Sequence, residues 1–236
     1  LANNVFGMYL DSPNNLLRAN EMLENTYNFV NVEMLGDYPN DVDTSNTVNG
    51  KPIYYLVNQT NLNINPFTYP DMGFLAMRNC ENITIDNMTF SNNGFGILIM
   101  GGTNITIERT TIQDNLVGIF ADTEGAIKIS NCVIESNLHG IELYGVGSHS
   151  EILSNSITNN TIRRLLRIVT PYFVQAMPSA MELLSLTTRL GGIFIYGMSN
   201  STVADNIITG NDRGIYLQIS IHNVFKNNTM TNNVHN

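Results

Sequence analysis

The stretch NNGFGILIM, residues 92–100, decides how the chain folds, because the chain keeps rewriting it. DNLVGIFAD follows at 114–122, SNLHGIELY at 136–144 and GNDRGIYLQ at 210–218, each with an Asn three residues ahead of a Gly that opens a short apolar run. Gly96, Gly118 and Gly140 stand 22 residues apart, as do Gly192 and Gly214, and Asn4 with Gly7 repeats the pair near the start. A second apolar line falls 11 residues after the Gly position, at Ile85 (counted from Phe74), Ile107, Ile129, Val203 and Phe225. A third falls at 16 residues, at Phe90, Ile112, Ile134, Ile208 and Met230. These segments are too short for helices and are separated by Asn, Gly, Ser and Thr, the residues of turns. Three short strands in 22 residues make one coil of a parallel β-helix.

That architecture explains the composition. A single coil cannot bury its own apolar side chains, so coils stack about 4.8 Å apart and each residue lies over its equivalent one coil away. One inward column is then Ile97, Ile119, Ile141, Ile193 and Ile215, and the next is Ile99, Ala121, Leu143, Ile195 and Leu217. The bends require a residue that tolerates a left-handed backbone and bonds to its neighbours, and Asn does both. The 36 Asn of the 236 residues are therefore read first as architecture.

Charge and cysteine content narrow the partners. A net charge of −9 without a basic stripe argues against nucleic acid. Cys80 and Cys132 fall in different columns, which argues against a disulfide. The sequence begins and ends inside a coil, so further coils of a parent chain are expected at both ends.

Between Phe29 and Phe74 lie 45 residues, two coils plus one, with an irregular middle, GDYPNDVDTSNTVNGKPIYYL at 36–56. That stretch, with NCENITIDNMTFSNNGFGILI at 79–99, resembles the NosD family of periplasmic copper-binding or copper-maturation proteins, and also the wider group of carbohydrate-binding and sugar-hydrolase, pectin-lyase-like domains. The resemblance covers nearly the whole chain outside 163–191. It implies a right-handed parallel β-helix and an extracytoplasmic location, periplasmic or at the cell surface. It also implies two activities to weigh, copper binding and a polysaccharide lyase or glycoside hydrolase.

The residues themselves favour binding or structure over catalysis. His139, His149, His222 and His235 are scattered over different columns, so no metal ligands are assigned and no cofactor is expected, with calcium or copper the metals left open. For catalysis the candidate groups are Asp41 and Asp43 with Lys51 in the irregular loop, and Asp122 with Glu142, which point outward from one sheet on neighbouring coils. The positive sign is aromatic: Phe120, Tyr144, Phe194, Tyr196 and Tyr216 occupy outward positions where polar side chains are usual. Ring faces flanked by acids and amides suit sugar rings, so a polysaccharide or surface glycan is the expected partner.

Residues 163–191, RRLLRIVTPYFVQAMPSAMELLSLTTRLG, contain no Asn and carry four Arg against one Glu. Leu165, Leu166, Val169 and Phe173 recur at helical spacing, so the stretch is read as a mostly helical insertion between coils 1–162 and 192–236, packed on its own domain rather than on a membrane. Removing it would join Ile162 to Gly192 and put Asn160 three residues before that Gly, as in the other coils. The fold class expected is thus all-β, a right-handed parallel β-helix of 22-residue coils with one mostly helical insertion.

Overall fold

The computed structural model describes residues 1–32, 39–161 and 191–235. Two small coils come first: β1 (Phe6–Leu10), β2 (Leu16–Leu17) and β3 (Glu21–Met22), then β4 (Tyr27–Asn31), β5 (Asp41–Val42) and β6 (Thr47–Val48). The main stack follows with β7 (Lys51–Val57), β8 (Thr60–Ile64), β9 (Phe74–Asp86) and β10 (Thr89–Ser91), then β11 (Phe95–Glu108) and β12 (Thr111–Gln113). Next come β13 (Val117–Asp122), β14 (Ile127–Ser130) and β15 (Val133–Glu135), then β16 (His139–Tyr144), β17 (Glu151–Leu153) and β18 (Ser156–Thr158). The last coils are β19 (Ile193–Tyr196), β20 (Thr202–Ala204) and β21 (Ile207–Thr209), and β22 (Ile215–Gln218), β23 (Val224–Lys226) and β24 (Thr229–Thr231).

The register follows the spacing. Ile97 pairs with Ile119, Ile119 with Ile141, Ile141 with Ile193 and Ile193 with Ile215, all in parallel strands. The second line runs Ile85, Ile107, Ile129, Ile152, Val203, Phe225, and the third Phe90, Ile112, Ile134, Ile157, Ile208, Met230. These columns fill the inside of the solenoid, and Ile97, Ile119, Ile107, Ile129, Ile112 and Ile134 are all fully buried. Glycine opens the first strand of each coil because the next coil passes too close for a side chain: a Cβ on Gly118 would stand 2.5 Å from the Gly140 carbonyl oxygen.

Inward-facing amides seal the corners. The backbone N–H of Asn93 donates to Oδ1 of Asn115, Asn115 to Asn137, Asn137 to Asn160, Asn160 to Asn211 and Asn211 to Asn233, each at 2.9–3.0 Å. A second ladder runs Cys132, Asn155, Asn206, Asn228, and a third runs Ile127, Ser150, Ser201, Asn223. Other Asn residues, among them Asn82, Asn104, Asn131 and Asn159, stand at turns with φ of 54–56°, where a left-handed backbone is needed.

The step from Asn160 to Asn211 shows that the coils on either side of 162–190 stack directly. The expectation of a mostly helical insertion is corrected in one respect: among the described residues the chain is all-β and holds no helix. The apolar recurrence behind that expectation covered only nine residues and was cut by Pro171, and so short a pattern does not separate a helix from other buried segments. The segment read as the insertion lies, apart from Gly191, outside the described residues.

The first two coils are not stacked in line with the rest. β1 pairs with β4, β2 with β5 and β3 with β6, all parallel, and then β6 turns back antiparallel into β7. Their apolar residues Leu17, Met22, Phe29, Val42 and Val48 form a second core with Phe74, Ala76, Leu98 and Met100. Leu98 and Met100 alternate with the inward Ile97 and Ile99, so this core lies on the outer face of the main sheet. Strand β4 is buried along its whole length, and it backs onto the corner at Asn92–Gly94 through Asn28 N–H to the Asn92 carbonyl (2.7 Å) and Gly94 N–H to the Phe29 carbonyl (2.9 Å). The N-terminal coils thereby cover the outer face as far as β11 and leave β13 onward to a different use.

Candidate functional site

Beyond β11 the outer face carries two columns in register. The first is Phe120, Glu142, Phe194, Tyr216, and the second is Asp122, Tyr144, Tyr196, Gln218. Their rings run on from the second core as a ladder. Centroids are 5.5 Å apart for Phe95 and Phe120, 5.3 Å for Phe120 and Tyr144, 5.4 Å for Tyr144 and Phe194, 6.3 Å for Tyr144 and Tyr196, and 5.5 Å for Phe194 and Tyr216. All five rings singled out in the sequence therefore join one array. Phe194 is buried within it, while Phe120, Tyr144, Tyr196 and Tyr216 are half-buried. The Arg213 guanidinium lies 4.9 Å from the Tyr216 centroid, within cation–π range.

The two outward acids differ. Glu142 is buried between Phe120 and Phe194, with its Oε1 2.5 Å from Nδ1 of His139, itself buried. The two atoms touch without the alignment of a hydrogen bond, and the Tyr144 hydroxyl donates a long contact, 3.5 Å, to Oε2 of Glu142. Asp122 is half-buried, and burial pushes its carboxyl above the usual aspartate range. Its carboxylate has no hydrogen-bond or ion-pair partner among the described residues.

His139 is the residue that column counting missed. It precedes its Gly, as Phe95, Val117 and Arg213 precede theirs, and the bend at Gly turns this position toward the outer face, where Phe95 and Val117 join the second core. In each coil it meets the residue three further on: His139 meets Glu142, and Arg213 meets Tyr216. The signal was present in the spacing, as an i, i+3 pair straddling each Gly.

Asp41, Asp43 and Lys51 sit elsewhere, on the N-terminal coils and their hairpin. Arg18 bridges Asp41 at 2.7 Å and Asp43 at 3.0 Å, tying β2 to β5. The Ser45 hydroxyl, before Arg18, holds the Asp43 carboxyl below its usual range. Lys51 is exposed at the start of β7. These groups brace a turn and do not reach the ring ladder's columns.

The metal-ligand chemistry of a copper site does not assemble among the described residues. His149 and His222 share one corner but with Asn200 between them, two coils or about 10 Å apart, too far to bind one ion. His235 pairs with Arg213, and no group of three or more His, Cys, Asp or Glu is placed to hold a metal among the described residues. Cys80 and Cys132 are free and buried, and burial pushes the Cys132 thiol up to about 11, far from a ready thiolate ligand.

Two family models match the chain: one described as the right handed beta helix region, over residues 43–168, and one described as periplasmic copper-binding protein (NosD), over residues 181–236. No curated protein and no solved structure matches it. The NosD family's periplasmic setting points to an extracytoplasmic location. With a stacked, parallel, three-sided solenoid behind both matches, the chain belongs to the right-handed β-helix family and is NosD-like.

Proposed function

We propose that this β-helix is a carbohydrate-binding module, in the periplasm or at the cell surface, that takes a polysaccharide or surface glycan along the outer ring ladder. The observation that carries the reading is the run of Phe120, Tyr144, Tyr196 and Tyr216, half-buried aromatic rings at successive coils where a solvated sheet face would be polar. Coils repeat at about 4.8 Å, near the length of one pyranose unit, so the ladder offers a ring face at steps commensurate with a sugar chain. Tyr hydroxyls, Asp122 and Gln218 stand beside the rings to bond the edges of a sugar whose C–H face is stacked.

The double variant Tyr196→Ala, Tyr216→Ala is expected to weaken glycan binding about 30-fold, roughly 2 kcal/mol, while melting within about 5 °C of the parent. Titration against the strongest binder from a glycan array measures the first and thermal unfolding the second. Undiminished affinity in the variant, or an array on which nothing binds, would remove the ladder from the function.

A second reading, polysaccharide lyase or hydrolase, is favoured by the contact of Glu142 with His139 and Tyr144, an acid, a base and a phenol in one place. Release of oligosaccharides from a polysaccharide, lost in Glu142→Gln, would favour it over simple binding.

A further inference from the structure

The acids of this chain are mostly neutralised where they stand. Arg18 answers Asp41 and Asp43, Arg109 answers Asp86 and Glu108, and Lys128 answers Glu151 at 2.9 Å. On the ring ladder the balance differs. His139 is held by Glu142, and Arg213 lies over Tyr216, so both basic groups seen there are engaged. Asp122 alone keeps a half-buried carboxylate with no hydrogen-bond or ion-pair partner among the described residues. Taking a carboxylate partly out of water without a partner costs stability, so a group that supplies the missing positive charge would bind with that cost already met.

The surroundings of Asp122 specify what kind of group. It stands two residues from Phe120 on the same face of β13 and directly opposite Tyr144 on β16, with Tyr196 one coil further along its own column. Aromatic faces carry negative potential and attract cations, and they do so most strongly where water is partly excluded. A carboxylate flanked by such rings is matched to an ammonium group that is itself attached to a flat, stackable ring. A uronate would bring a second carboxylate against Asp122 on a protein that already carries −9, and would be repelled.

Resting on the carbohydrate reading above, we infer that the ladder is selective for amine-bearing sugars, with Asp122 taking the protonated amino group of a glucosamine-type unit while Tyr144 and Tyr196 carry adjacent ring faces. N-acetylation of that amine removes both the charge and two of its donors, so it discriminates against the same polymer in acetylated form.

The test compares three hexamers of matched length by calorimetric titration at neutral pH: glucosamine, N-acetylglucosamine and galacturonic acid. The glucosamine hexamer is expected to bind at least about 10-fold tighter than its acetylated counterpart, the scale of one charge-assisted contact with a ring contribution. In Asp122→Asn, checked for folding by its melt, the glucosamine hexamer should fall to the level of the acetylated one. Equal affinities for the two glucosamine forms, or tighter binding of the galacturonate, would overturn the amine selectivity while leaving carbohydrate binding in place. Binding of none of the three, with none on a glycan array, would take both readings down together.

Discussion

Asn137→Ala is expected to destabilise the chain by about 4 kcal/mol, more than truncation of most core aliphatics. Its side chain makes four contacts at one buried corner. Oδ1 accepts from the Asn115 backbone N–H at 2.9 Å and from the Asn115 side chain at 3.1 Å, while Nδ2 donates to the Ile112 carbonyl at 3.1 Å and to Oδ1 of Asn160 at 3.0 Å. Alanine removes all four and strands the partners in a place no water reaches. A net hydrogen bond is worth about 1 kcal/mol and an orphaned buried group costs about 1–3, which together place the loss near the top of the range for single substitutions. Asn131→Gly, at an exposed turn with φ of 54°, should cost well under 1 kcal/mol. Urea unfolding of both proteins makes the comparison. Similar small losses would mean that the ladder is ornament on a fold held by its aliphatic columns alone.

The His139–Glu142 contact predicts opposite signs for single and double replacement. Either group alone, as in His139→Ala or Glu142→Ala, leaves the other buried without a partner, and about 3–5 kcal/mol of stability should be lost. The coil before shows what an apolar answer looks like, because Val117 and Phe120 occupy the same two positions. The double variant His139→Val, Glu142→Phe copies that coil and should be neutral or up to about 2 kcal/mol more stable than the parent. If it does prove stable, the pair is kept for something other than folding, consistent with its place under the rings. A double variant as damaged as the singles would show instead that the pair contributes packing that the neighbouring coil cannot supply.

Most of the fold was legible because one period wrote it many times. Ile97, Ile119 and Ile141 could be placed inward from spacing alone, and the excess residue near Gly145–Ser148 reappears as the 23-residue step from Ile129 to Ile152. Ile152 and Ile157 went unnamed because that same shift moved them off the count. What could not be read is what breaks the period. The N-terminal coils contain the right strands, but whether they continue the stack or fold back on its flank depends on the antiparallel turn at Val48–Lys51, a tertiary choice that local periodicity does not record. The site divides the same way. The five rings were found because outward positions alternate with inward ones, whereas His139 was passed over because the bend at Gly reverses that alternation for the residue before it. Asp41 and Asp43 looked like chemistry until Arg18, 23 residues away from Asp41, was found holding them.

The direct stacking of Ile141 on Ile193 has a mechanical meaning. A solenoid pulled from its C-terminal end comes apart coil by coil, since each coil is held mainly by the one beneath it. Each 22-residue step then lengthens the chain by about 75 Å at roughly 3.4 Å per extended residue. One step is different: between Ile141 and Ile193 lie 52 residues for a single coil of thickness, so that coil can pay out about 175 Å at one rupture. A wall or envelope protein built this way carries a length reserve at a fixed place along its axis, released by load after the two coils beyond it have gone, and the coils that bear the covered outer face remain folded behind it.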